Sequence, residues 1–170
     1  MQNVHKVKKT FVIPFSIIVT LLFILFGLSL INGQVWERII LAVLCISSLA
    51  IGIEAIRREI IVNEEGVTLK KFFRVKNFIW TEITNLAVVV MKNKAYFLLT
   101  TTKGFYIFSN LIENHTALIQ FLRDKVGSEK VEVEVINYLD HPTSRLSLVV
   151  MSWVAVIAIS TIIILKLWLD

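Results

Sequence analysis

The chain has 170 residues, of which 56% are hydrophobic, and a mean hydropathy of +0.74; soluble domains hold roughly 45 to 50% apolar residues, so the excess belongs to segments built for lipid. The formal charge is +5, but Lys6, Lys8 and Lys9 precede the first apolar block and Arg57 and Arg58 follow the second, which marks membrane topology rather than a nucleic-acid surface. A lone cysteine, Cys45, excludes an intrachain disulfide, and His5, His115 and His141 lack ligand spacing, so neither a metal nor another cofactor is implied.

After a polar, basic segment from Met1 to Thr10, Phe11 to Ile31 runs without a charge and is expected to form a first membrane helix. It is too long for the apolar core of a signal peptide, and Gly27-Leu28-Ser29 makes a poor cleavage site. Pro14 falls in the first turn, where a missing N–H costs least. Asn32 to Gln34 is a tight turn, and a second helix follows over about residues 36–57, with Trp36 at one interface and Arg57 and Arg58 at the other. Glu54 is the one acid near the apolar interior; Arg57 and Arg58, three and four residues on, make an interfacial ion pair the expected reading rather than a transport role. Ser48 and Gly52 give a small-x-x-x-small spacing, a weak packing signal.

From Arg58 the chain enters a folded domain with no linker. Glu59 to Val62 reads as a strand, Asn63-Glu64-Glu65-Gly66 as a turn and Val67 to Phe73 as a second strand, with a bulge expected near Lys70 and Lys71 because Phe72 breaks the parity of Val67, Leu69 and Phe73. Arg74 to Lys76 then reads as a turn, Phe78 to Trp80 as a strand, and Thr81 to Ile83 as a short turn. Leu86 to Met91 and Ala95 to Thr101 flank a polar tip, Lys92-Asn93-Lys94, and Phe105 to Phe108 is the sixth strand. Such a meander predicts a curved, barrel-like antiparallel sheet. Asn110 with Glu113 suggests a capping box for an amphipathic helix that ends at Gly127, with His115 packed on or beside its apolar stripe. Val131 to Val135 alternates with Glu and predicts a further strand. Asp140-His141-Pro142 breaks it, and a third membrane helix spans about residues 144–169, from which Lys166 can snorkel outward.

Two membrane helices, a strand, an Asn-Glu-Glu-Gly turn and then Phe78-Ile79-Trp80-Thr81-Glu82-Ile83 resemble small bacterial multi-pass membrane proteins with a pleckstrin-homology-like (PH-like) domain. The resemblance covers Met1 to about Val126. It implies a membrane α-helical plus α+β chain: a transmembrane hairpin within residues 1–57, a PH-like sheet or barrel closed by one helix over 58–138, and a third transmembrane helix within 139–170. It also implies a bacterial cell membrane location and, for some such proteins, protection against membrane-active peptides such as bacteriocins.

No nucleophile elbow, phosphate loop or metal spacing is present, so the expectation is a non-enzymatic protein that presents the central domain as an interaction module. Its partners are the bilayer and a protein of unknown identity, with a second copy of the chain admissible; nucleic acid is not among them. Lys70, Lys71, Arg74 and Lys76 are the candidate membrane-surface contact. Because Arg57 to Arg145 holds 13 basic and 10 acidic residues, a merely solvated hairpin competes with that reading. Taking Asn63–Gly66 as the loop between the first two strands, Glu64 and Glu65 disfavour a phosphoinositide pocket there. The lysine and arginine distribution puts the N-terminus and central domain in the cytosol and the C-terminus outside. Accordingly Lys94→Cys, in a Cys45→Ser background, is expected to resist a membrane-impermeant thiol reagent in intact cells; labelling there would reverse the assignment.

Overall fold

The computed structural model describes residues 3–71 and 74–169. They form seven strands and five α-helices: β1 (Asn3–Lys6), α1 (Lys9–Asn32), α2 (Val35–Arg57), β2 (Glu59–Val62), β3 (Gly66–Lys71), β4 (Arg74–Ile79), β5 (Ile83–Met91), β6 (Lys94–Thr101), β7 (Gly104–Ser109), α3 (His115–Val126), α4 (Val133–Asp140) and α5 (Leu146–Leu169). The chain divides into two compact units, one of Met1–Lys8 with Arg57–Leu146 and one of Lys9–Ile56 with Ser147–Asp170.

The second unit is helical. α1, α2 and α5 are each long and apolar enough to cross a membrane. Leu25, Leu41 and Ile163 form a small buried cluster joined by Leu21, Phe26, Leu28 and Ile159. Nearby, Lys166 of α5 is paired with Glu37 at the start of α2, so the C-terminal end of α5 lies beside the α1–α2 turn. Arg38 Nε donates to the Ser29 carbonyl at 3.1 Å and ties that turn together.

The first unit contains two antiparallel sheets, ordered β1-β2-β3-β4 and β5-β6-β7, with no closed barrel among the described residues. The N-terminal strand is absent from the sequence reading. Asn3 to Lys6 pairs with Glu59 to Val62, so the membrane hairpin is an insertion between the first two strands of one sheet. β3 pairs without irregularity with both β2 and β4, which removes the bulge expected near Lys70 and Lys71; Phe72 and Phe73 lie outside the described residues. Arg74 to Lys76 is strand rather than turn, because Lys71↔Arg74, Lys70↔Val75 and Leu69↔Lys76 pair directly. Trp80 leaves the strand and opens a 3-10 turn, Trp80–Glu82.

Ile60, Val62, Val67, Leu69 and Phe78 of the first sheet meet Leu86, Val88, Phe97, Leu99 and Phe108 of the second. α3 closes this core with Leu118, Ile119 and Leu122, all fully buried. Its start differs from the expected capping box: Asn114, with φ of 50°, precedes the helix, and Asn110 is buried in another role. The strand expected at Val131–Val135 is also corrected. Val131 makes an isolated bridge to Leu86, and α4 then buries Val135 and Tyr138 on the core while Val133 faces out. Within α4 the burial of Val135 and Tyr138, three residues apart, is helical spacing, which the Val-Glu alternation conceals.

The motif behind the family resemblance is structural. Trp80 Nε1 donates to the Glu64 carbonyl at 2.9 Å, and its ring lies 6.0 Å from that of Phe121 on α3. Glu82 accepts from the Ile79 amide and pairs with Lys103 at 2.5 Å, while Ile83 is fully buried. Truncating a buried leucine in such a core costs about 2–5 kcal/mol. Leu122→Ala should therefore sharply lower the protease resistance of the sheet unit in the full-length protein; unchanged resistance would mean that α3 is not docked.

Candidate basic groove between the sheet edges

β4 and β7 are the open edges of their sheets. Between them lies a groove of about 340 Å³ lined by Leu69, Lys71, Arg74, Lys76, Phe105, Tyr106 and Ile107. Its construction follows from strand parity. Side chains alternate across a strand and directly paired residues share a face, so buried Val67 and Leu69 put Lys71 on the core-facing side of β3. Their partners Phe78, Lys76 and Arg74 share that side on β4. The inner face of the first sheet thus changes from apolar to basic as it leaves the core. From the other sheet, Tyr106 packs on Phe78 with ring centroids 4.6 Å apart and forms the junction. Phe105, 73% exposed, and Ile107 flank it.

The lining contains no acid. Lys71 and Arg74 stand directly opposite each other on the strand pair. Among the described residues no carboxylate pairs with Arg74 or Lys76. Lys70 is different: it turns to the outer face, where Glu59 accepts from both Lys6 at 3.0 Å and Lys70 at 3.4 Å. The Lys6 hydrogen bond, with a smaller contribution from Lys70, holds the Glu59 carboxyl below its ordinary range against the opposing effect of burial. Of the four basic residues singled out by the sequence, Lys71, Arg74 and Lys76 line the groove and Lys70 lies on the other face. The aromatic side of the groove was not expected, although the exposed Phe105 and Ile107 on an otherwise core-forming strand are its signal.

Asn63–Gly66 connects β2 to β3, not the first two strands. Asn63 Oδ1 accepts from the Glu65 and Gly66 amides at 3.1 and 2.8 Å, closing the turn. A Cβ on Gly66 would stand 1.8 Å from the Phe78 carbonyl oxygen, so glycine is required by close strand approach. Glu64 pairs with Lys125 of α3 at 2.5 Å, which lowers its pKa. This acidic turn lies at the opposite end of β3 from Lys71, roughly 17 Å along the strand. It does not guard the basic groove, and the objection to a phosphorylated ligand based on Glu64 and Glu65 lapses.

Glu54 and Arg57 both lie in the last turns of α2, and Arg58 falls just past its end. Among the described residues no cluster of His, Cys, Asp and Glu could hold a metal ion. No protein-family model matches the chain, and neither a curated protein nor a solved structure is found to match it.

His115 is a core residue, 7% exposed, with the rings of Phe97 and Tyr138 at 6.5 and 6.0 Å. Burial and, to a smaller extent, the charge of Lys8 push its pKa down to about 4 from 6.5. Between those values the unfolded chain takes up a proton that the folded chain refuses, so stability falls as the pH drops through this window. The depressed Glu59, Glu64 and Glu82 lose their contributions at lower pH, below about 4.5. The unfolding midpoint of the full-length protein should thus decline from pH 6.5 downward. In His115→Phe the decline should begin only near pH 4.5.

Proposed function

We propose that this chain is a non-enzymatic bacterial cell-membrane protein whose sheet unit is a PH-like interaction module, split by a transmembrane hairpin and carried on the cytosolic side. The arrangement that supports the fold reading is four strands, then three, then α3 across the core, with β1 supplying a strand that the soluble segment alone lacks. The orientation rests on Lys8, Lys9, Arg57 and Arg145 at the sheet-side ends of the three apolar helices. At the other end, the Glu37–Lys166 pair leaves the C-terminus with the α1–α2 turn, on the external side.

The module's ligand is an acidic, extended segment of a partner protein, laid in the groove between β4 and β7. The observation that carries this is the inward set Lys71, Arg74 and Lys76 on an apolar floor between two unpaired sheet edges. An edge strand offers a row of backbone donors and acceptors to an added strand, while side-chain pockets select its sequence. Here the selecting charge is positive and the apolar contacts are Leu69, Tyr106 and Phe105. Exposed cations that alternate with apolar lining along two strands are an arrangement that an extended chain can follow. Tethering favours such a site, since confinement at the membrane raises the local concentration of any neighbouring partner.

The test uses full-length protein in nanodiscs of neutral lipid and a fluorescent peptide of alternating glutamate and valine. Salt-sensitive binding is expected, weakened about tenfold by Lys76→Glu or Arg74→Glu, the loss of one charge-assisted contact of about 1.4 kcal/mol. Lys103→Glu, outside the groove, should leave it unchanged. If the peptide fails to bind, and in a second set of nanodiscs made with anionic lipid the lipid occupies the same residues, the groove is a headgroup site and the peptide reading is overturned.

A further inference from the structure

The β5–β6 hairpin ends in a way that water does not favour. Val89, Val90 and Met91 are 55%, 47% and 60% exposed, and Lys92, Asn93 and Lys94 follow at once. Val89 and Met91 share the outer face of the second sheet, away from the core. A tip facing only solvent would ordinarily be polar throughout, and three consecutive exposed apolar residues at its base require another surrounding.

Hydrogen bonds place this tip. The Asn110 amide nitrogen donates to the Asn93 carbonyl at 3.3 Å and to the Thr143 carbonyl at 2.9 Å. Two residues on, the Arg145 guanidinium lies 5.7 Å from the Tyr96 ring centre, donating to the Tyr96 hydroxyl at 3.4 Å and to Ser109 Oγ at 3.5 Å. Tyr96 is the direct cross-strand partner of Val89. The next residue, Leu146, begins the third apolar helix. The hairpin tip is therefore held, within the sheet unit itself, beside the point where the third apolar helix begins.

We infer that the β5–β6 tip is an interfacial anchor seated in the anionic phospholipid surface of the membrane that the chain spans. Val89 and Met91 enter the boundary between headgroups and acyl chains, and Lys92 and Lys94 lie among the phosphates. This is the division of labour of monotopic anchors, with apolar burial supplying depth and basic residues supplying attraction to anionic lipid. Exposed apolar side chains, lysines that complement anionic headgroups and attachment beside a membrane entry all favour lipid over protein as the occupant. The inference stands apart from the peptide groove, whose lining shares no residue with the tip.

The experiment uses the full-length chain with Cys45→Ser, reconstituted in nanodiscs of phosphatidylcholine and phosphatidylglycerol. An environment-sensitive fluorophore is attached at Met91→Cys or, independently, at Val89→Cys. The control is Thr102→Cys in the β6–β7 turn, at the other end of β6. Expected are a blue-shifted emission at positions 89 and 91 and quenching by lipid carrying a doxyl group high on its acyl chain, with at least about twofold more quenching than at position 102. Lys92→Glu with Lys94→Glu should reduce that quenching. Equal quenching at positions 91 and 102 would overturn the inference. So would shielding of position 91 from both the doxyl lipid and aqueous iodide, which would assign the tip to a protein contact.

Discussion

The connectivity of the sheet unit turns on one pairing, that of Asn3–Lys6 with Glu59–Val62. The two strands are neighbours in space but stand on either side of two complete apolar helices in the sequence. A β-ladder requires both strands in the same compartment, so whatever is inserted between them must begin and end on one side of any membrane it enters. The pairing also moves the edge of the sheet from β2 to β1. Without β1, the ladder groups on that side of β2 would be left unpaired, and Glu59 would lose Lys6, the largest influence on its ionisation.

The membrane helices were legible because their signal is long: some twenty uncharged residues override every local ambiguity. β1 was not. Asn-Val-His-Lys has no apolar alternation, its burial pattern is that of an edge strand, and its partner lies beyond a long insertion, where local pattern carries no information. The Val131–Val135 segment failed for a different reason. Five residues of strict alternation satisfy a strand, but the chain uses them otherwise: Val131 bridges Leu86, and the helix that starts at Val133 buries Val135. Tyr138, three residues further, decides between the two, and it stacks edge-on against Phe97 at 5.1 Å.

The candidate groove was half legible. Its cations stood out as a cluster, but direction along β3 and β4 separates Lys70 from Lys71, and that depends on register, which a charge run does not encode. The strongest family signal, Trp80 to Ile83, proved to be packing: it fastens the β2–β3 turn, α3 and the 3-10 turn to one another. A short motif of this kind marks how a core is closed, while the groove depends on residues outside it.

The segment from Ser109 to Glu113 bears more than its length suggests. The Lys8 amide donates to the Leu111 carbonyl at 2.9 Å, the Glu113 amide to the Lys6 carbonyl at 2.7 Å, and Val7 bridges Ile112. From the same segment Asn110 reaches Thr143, and Ser109 reaches Arg145. The chain's exits toward α1 and α5 are thus moored to five consecutive residues. Both exits from the sheet unit therefore bear on the same short stretch of chain. In mechanical terms the two exits are lines on a single cleat, and the sheet unit is the hull to which it is bolted.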